Sequence, residues 1–164
     1  MVQNSDQVVG LAITTPYFLT ENSPYGNIID IAFNQNQLEG LCEVTVVAVF
    51  LHEGIHAEMF KLLNDPDIDP EDFETIWGEY ETNISQHENM ANSYIGVLAS
   101  SLKQRFGNRY TDEEYEAISW IGLGNVNGEN VNTSAWASLF QSKKTELIQL
   151  FQQVNNDCSD DQCK

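Results

Sequence analysis

The sequence predicts an α+β fold that is predominantly α-helical, with a small β portion near the N-terminus and about five helices. The first forty residues combine short apolar runs with turn-forming residues, which is typical of strands. The remaining residues carry repeated helix-start signals and apolar residues at helical spacing. A length of 164 residues and a hydrophobic content of 41% suit a single domain over residues 1–164.

The predicted β portion consists of two apolar runs that are separated by turn-forming residues. The first run, "VVGLAITTPYFL", is followed by the turn-rich "TENSPYGN" and then by the strand candidate "IIDIAF". We expect residues 1–27 to be extended. Residues 155–164 are expected to form a polar tail.

The first helix is predicted to begin near Asn36, which forms a capping box with Glu39. Gly40 is a candidate point of interruption, and the helix then continues through "CEVTVVAVFLHEGIHAEMFKLL". The valine-rich centre of this segment also fits a buried strand by periodicity alone. The length of the segment favours a helix that is apolar on most sides and therefore buried.

Four further helices are predicted from their start and stop signals. Asp69 followed by Pro70 indicates the start of the second helix. The third is predicted to start at Ser85, paired with Glu88, and to stop at Gly107. The fourth starts at the capping box formed by Thr111 and Glu114, and the fifth is "TSAWASLFQSKKTELIQLFQQV".

The charge of the chain argues against several classes of partner. Seven basic residues stand against twenty-five acidic ones, a formal net charge of −18. Because such a surface repels phosphate, we expect neither nucleic acid nor an anionic membrane as a partner. No apolar run approaches the roughly 18–20 residues that span a bilayer, so no membrane insertion is expected. The opening "MVQNSDQVVG" lacks signal-peptide features, so either the chain is cytoplasmic or Met1 begins a piece of a longer protein.

The three cysteines are too few for a disulfide scaffold. Cys158 and Cys163 lie close together in "CSDDQC" and can pair locally, which would leave Cys42 free. Three unpaired thiols are an equally reasonable interpretation.

The segment "VVAVFLHEGIHAEMF" contains a candidate zinc site. Residues i and i+4 of a helix share one face, so the imidazoles of His52 and His56 can meet one ion. Glu53 lies one step round the helix, where it can act as a general base without binding the metal. The alternative is that both histidines are satisfied core residues, but each would then need its own buried partner.

A catalytic zinc needs a third protein ligand, and His87 is the best candidate. Met59 and Leu62 occupy the positions where the compact HExxHxxGxxH pattern would place glycine and the third histidine. His87 continues an inward-facing stripe, although a surface position near the helix start is the alternative. The stripe consists of Ala91, Tyr94, Ile95, Leu98 and Leu102, and the competing carboxylate ligands are Glu79, Glu81 and Glu88.

The motifs "LHEGIHAEM", "HENMANSYIGVLASSL" and "YEAISWIGL" together resemble a group of bacterial zincin-like metallopeptidase domains. Such domains often lie at the C-terminal end of larger secreted or surface proteins. The resemblance covers Ile28 to Leu139, and it departs from the family pattern after Trp120, where a glycine pair is expected. It implies a zincin-like fold with a buried active-site helix, two ligands and the base from HExxHA, and a third ligand from HxxMA.

These observations predict a zinc-dependent metallopeptidase that hydrolyses peptide bonds with a metal-activated water. Its zinc ligands would be His52, His56 and His87, and its general base Glu53. Tyr94 is the candidate oxyanion stabiliser, with Tyr110 and Tyr115 as substitutes, although a core role fits Tyr94 better. The carboxylates considered as hydrogen-bond partners of the ligands are Asp30, Glu58 and Glu79, beside backbone carbonyls.

The alternative function is a catalytically inactive zincin-like domain for binding or structure, with zinc as a structural ion. A fourth protein ligand, such as Glu88 or a cysteine, would favour this alternative, because catalysis needs an open coordination position. The expected partner of the enzyme is a peptide or protein substrate. The resemblance favours a secreted or cell-surface location within a longer protein.

Overall fold

The computed structural model describes residues 10–17, 28–62, 83–128 and 131–158. The helix predicted at Asp69 and Pro70 lies outside the described residues. The same holds for Glu79, Glu81 and Cys163. Within the described ranges the chain is mostly helical with one small sheet, which confirms the predicted α+β class.

The sheet consists of two antiparallel strands, β1 (Ala12–Tyr17) and β2 (Ile28–Phe33), paired from Ala12 opposite Phe33 to Tyr17 opposite Ile28. Side chains alternate between the two faces of a strand, so Thr14 lies on the same face as Phe33. This face packs on the central helix, where Phe33 stacks on Phe50 with ring centroids 4.0 Å apart. The predicted strand "IIDIAF" is therefore confirmed.

Seven helices lie within the described ranges, because three of the predicted helices are each broken into two. Gly40, with a positive φ of 88°, separates the first pair, Tyr94 the second, and Leu139 with Phe140 the third. None of these helices is long and apolar enough to cross a membrane. The helices are α1 (Gln35–Leu38), α2 (Glu43–Leu62), α3 (Asn83–Ser93), α4 (Ile95–Phe106), α5 (Asp112–Ser119), α6 (Ser134–Ser138) and α7 (Gln141–Asp157).

Two of the predicted helix starts are wrong. The cap of α1 is Asn34, whose side chain accepts a hydrogen bond from the Gln37 N–H, and not Asn36. Helix α3 begins at Asn83, so Ser85 lies inside it and does not pair with Glu88 in a capping box. The Glu88 carboxylate instead contacts Ser134 at the start of α6.

The predicted end of α4 and the predicted start of α5 agree with the structure. Thr111 and Glu114 form the predicted capping box of α5, and Gly107 ends α4 with a positive φ of 67°. The last helix extends to Asp157, so the first residues of the predicted polar tail are helical.

Helix α2 lies at the centre of the fold and contacts both strands and helices α3, α4 and α5. Its buried face follows helical spacing, with His52, Glu53 and His56 in the middle. Phe50, which stacks on Phe33 of the sheet, is still 50% exposed, so one side of α2 remains partly open. The other buried residues of this face are Val44, Thr45, Ala48, Val49 and Met59.

A disulfide between Cys42 and Cys158 joins the start of α2 to the end of α7. Neither predicted state of the cysteines is correct, because residues 116 apart in sequence are brought to a Cα–Cα distance of 5.5 Å. Asn155 strengthens the same junction: its side-chain oxygen accepts hydrogen bonds from the Cys42 N–H and the Thr45 hydroxyl. The first turn of the histidine-bearing helix is therefore fixed to α7.

Candidate metal centre

The structure brings His52, His56 and His87 together, so that these three residues can hold a metal ion. One ring nitrogen of each histidine lies within 4.8 Å of those of the other two. The Nε2 atom of His56 is 3.0 Å from Nε2 of His52 and 3.0 Å from Nε2 of His87. Helix α2 supplies two of the rings through its i, i+4 spacing, and α3 supplies the third, as the sequence predicted.

The donor set and its spacing fit a tetrahedral metal. Three nitrogens at about 2.0–2.1 Å from one ion lie about 3.3 Å from each other, close to the two observed separations. The single lone pair on Nε2 of His56 faces two other ring nitrogens. A cation at the centre would satisfy all three nitrogens, whereas hydrogen bonds among the rings can use that lone pair only once.

The electrostatics of the cluster favour neutral rings, which is the form that binds a metal. Burial, followed by the nearby rings of His56 and His87, lowers the pKa of His52 well below its usual value. Burial also lowers the pKa of His56, against the effect of its hydrogen bond. Burial and proximity to His56 lower the pKa of His87 to about 4. All three imidazoles are therefore neutral at pH 7.

His56 contacts Gln86, a residue that the sequence did not point to. The Nδ1 atom of His56 lies 2.5 Å from Oε1 of Gln86, and the Gln86 side chain is fully buried. Of the predicted partners, Glu58 is exposed and pairs with Lys61, and Asp30 is exposed on β2. A glutamine one residue before the third ligand gave no signal in the sequence.

His52 is held by the turn after α5 rather than by a side chain. Gly122 lies in this turn with a positive φ of 71°, and a Cβ atom there would lie 2.7 Å from Cε1 of His52. The backbone of Ile121 raises the pKa of the ring, yet no group within the described ranges meets hydrogen-bonding geometry with Nδ1 of His52. Gly122 of the "WIGL" segment therefore packs directly against the His52 ring.

Replacing Gly122 with alanine is expected to weaken metal binding, because the new methyl group displaces the His52 ring. The positive φ adds backbone strain of about 1–2 kcal/mol. Gly40→Ala is the matched control: Gly40 has a similar φ of 88° with no atom within 4 Å of the added Cβ. Zinc titration and thermal unfolding of both variants should show a similar loss of stability and a loss of zinc affinity only in Gly122→Ala. Equal zinc affinity in the two variants would contradict this role of Gly122.

The carboxylate of Glu53 is buried, with 6% exposure, and is tied to the first strand. The Thr14 hydroxyl lies 2.5 Å from Oε2 of Glu53 and 3.2 Å from its backbone oxygen. Burial raises the pKa of Glu53, and the hydrogen bond from Thr14 acts in the opposite direction. Thr14 was not predicted, because residues 39 apart gave no pattern that links them.

A cavity of about 440 Å³ opens onto these residues. His52, Glu53 and His87 line it together with apolar side chains and backbone, and the described lining carries no cationic side chain. The remaining lining residues are Gly10, Leu11, Ala12, Gln37, Val49, Ile121, Gly122 and Val131.

The predicted oxyanion stabiliser does not lie in this cavity. Tyr94 separates α3 from α4, and its half-buried side chain packs against the hydrophobic core. The Tyr115 hydroxyl donates to the Gly107 carbonyl, and the Tyr110 hydroxyl lies 3.7 Å from Sγ of Cys158. The oxyanion role of Tyr94 stays a prediction.

Glu88, the competing ligand, is engaged at the start of α6. Its carboxylate accepts hydrogen bonds of 2.8 Å and 3.0 Å from the Ser134 N–H and a further one from the Ser134 hydroxyl. Thr133 caps the same helix, and its hydroxyl donates to the Leu123 carbonyl. The Glu88 carboxylate is therefore engaged at the start of α6 and not in the histidine cluster.

No family model, no curated protein and no solved structure matches this chain. The metal centre is therefore defined by its own residues and geometry alone.

Proposed function

We propose that the protein is a zinc-dependent metallopeptidase, with His52, His56 and His87 as zinc ligands and Glu53 as general base. The observation that carries the proposal is the convergence of three imidazoles, two of which, His52 and His87, line one cavity together with the buried carboxylate of Glu53. The imidazole set suits zinc, although cobalt, nickel and copper also accept such ligands.

The ligand set supports a catalytic rather than a structural ion. Structural zinc sites are closed by four protein ligands, whereas catalytic sites keep one position for water or substrate. Among the described residues, the groups that could close the set have other partners: Glu88 binds Ser134, and Cys42 is bonded to Cys158. Three ligands next to an open cavity favour hydrolysis over a structural role.

A divalent metal held by His52, His56 and His87 would supply a Lewis acid, which polarises a carbonyl and lowers the pKa of water. Glu53 takes a proton from the attacking water and later passes it to the leaving amine. The Thr14 hydroxyl holds Oε2 of Glu53, which leaves Oε1 of that carboxylate for the proton transfer. Burial keeps the carboxylate basic, since it raises its pKa.

The lining of the cavity supports an uncharged peptide segment as the substrate. Leu11, Val49 and Ile121 offer apolar contact for a side chain, and the backbone from Gly10 to Ala12 lies beside them. Apart from the proposed metal, the described lining offers no cationic side chain that could bind the carboxylate of a chain end or a phosphate. An internal peptide bond next to an apolar residue fits this surface better than a chain end.

The proposal is tested with metal-free protein, prepared with a chelator, and the same protein loaded with one equivalent of zinc. Both are incubated with a peptide mixture, and cleavage products are identified by mass spectrometry. We expect cleavage only in the zinc-loaded sample, next to apolar residues and away from chain ends. Zinc binding that raises the melting temperature without any cleavage would overturn the enzymatic proposal and leave the structural-zinc alternative.

A further inference from the structure

Two consecutive residues of α3 contact the two nitrogens of a single ring. Oε1 of Gln86 lies 2.5 Å from Nδ1 of His56, and Nε2 of His87 lies 3.0 Å from Nε2 of the same ring. An amide oxygen only accepts hydrogen bonds, so Nδ1 of His56 carries the proton and donates it. The lone pair of Nε2 is then directed into the histidine cluster.

The burial of Gln86 is unusual for its residue type. Its side chain is fully buried, and burying a carboxamide without hydrogen bonds is energetically costly. Glutamine is mostly exposed in proteins. The carboxamide oxygen contacts the ring of His56, which itself faces two other histidines. The buried carboxamide therefore has a specific partner.

The carboxamide orients the ring without adding charge. A carboxylate at the same place would also accept the Nδ1 proton, but it would bring a negative charge beside the centre and strengthen His56 as a donor. With Gln86, the three imidazoles and their hydrogen-bond partner are all neutral, so the full charge of a divalent ion stays available to the cavity.

We propose that Gln86 is a positioning residue of the metal centre: it fixes the tautomer and orientation of His56 through Nδ1 and keeps the ligand set uncharged. The proposal rests on the metal centre of the proposed function but not on peptide hydrolysis.

The test compares zinc affinity in Gln86→Leu and Gln86→Glu, measured by competition with a chromophoric chelator. Loss of such an outer hydrogen bond weakens metal binding by about 10–100-fold, which is the expected result for Gln86→Leu. Gln86→Glu is expected to bind zinc at least as tightly as the wild type, because the carboxylate accepts the same proton. The visible absorption of bound cobalt should change in Gln86→Leu and be closer to that of the wild type in Gln86→Glu.

Ser119→Ala is the matched control, because it removes another buried hydrogen bond, from the Ser119 hydroxyl to the Tyr115 carbonyl, outside the cluster. It should lower stability without changing zinc affinity. If Gln86→Leu does not fold, Gln86→Asn takes its place, since its shorter side chain cannot reach Nδ1.

Wild-type affinity in Gln86→Leu or Gln86→Asn would overturn the role of Gln86. Weaker binding in Gln86→Glu than in the wild type would also overturn it. A wild-type chain that binds no zinc would instead overturn the proposed function itself, so the two failures are distinguishable.

Discussion

Glu53→Gln is expected to lower the rate of peptide hydrolysis by about 10²–10⁴-fold and to leave the zinc content unchanged. Glutamine has nearly the same shape as glutamate, and its amide oxygen can still accept the hydrogen bond from Thr14. The substitution therefore removes the proton acceptor while the fold and the histidine cluster are retained. Turnover is measured on the peptide cleaved best by the wild type, and zinc is measured by mass spectrometry on the same samples.

Glu58→Gln is the control for this experiment. Glu58 lies on the same helix, but its exposed side chain pairs with Lys61 on the surface. The same chemical change at Glu58 should leave turnover and zinc content at wild-type levels. Turnover retained in Glu53→Gln would show that Glu53 is not the base.

His87→Ala is expected to lower zinc affinity by more than the roughly 10–100-fold that follows loss of a ligand's hydrogen-bond partner. The two remaining ligands, His52 and His56, come from one helix. A zinc ion would then have only two protein ligands, whereas a structural site has four. Because a metal bound to all three histidines would also join α2 to α3, the gain in melting temperature on adding zinc should disappear. Zinc content and thermal unfolding with and without zinc measure both effects.

Asn92→Ala provides the comparison on the same helix. The exposed side chain of Asn92 contacts only the Glu88 carbonyl of its own helix among the contacts described, so zinc affinity should be unchanged. Wild-type zinc affinity in His87→Ala would exclude His87 as a ligand and remove the basis of the peptidase proposal.

The three histidines could be predicted because their arrangement follows from helix geometry. His52 and His56 share a face at i, i+4, and His87 continues the apolar stripe of its own helix. The groups that contact the histidines and Glu53 could not be predicted. Thr14 and Gly122 reach the site through tertiary contacts that depend on how distant elements pack. Gln86 adjoins a ligand, yet adjacency in a helix does not show which ring it will contact.

Two of the wrong predictions have the same cause: local spacing suggested a contact, whereas the actual partner is distant in sequence. Ser85 and Glu88 have the spacing of a capping box, but the carboxylate of Glu88 instead binds Ser134, 46 residues away. In the same way, Cys158 lies near Cys163 in sequence but is bonded to Cys42. In both cases the tertiary contact joins two secondary-structure elements, which a purely local contact would not do.

Dithiothreitol in a purification buffer would release the start of α2 from the terminal helix, because it reduces the bond between Cys42 and Cys158. A cross-link between residues 116 apart lowers the entropy of the unfolded chain, which stabilises the folded state by about 4–5 kcal/mol. The reduced chain loses this stabilisation. Its two freed thiols are also strong zinc ligands and would distort any count of ions per chain. Metal stoichiometry is therefore meaningful only for the oxidised protein, isolated from a periplasm or a culture medium.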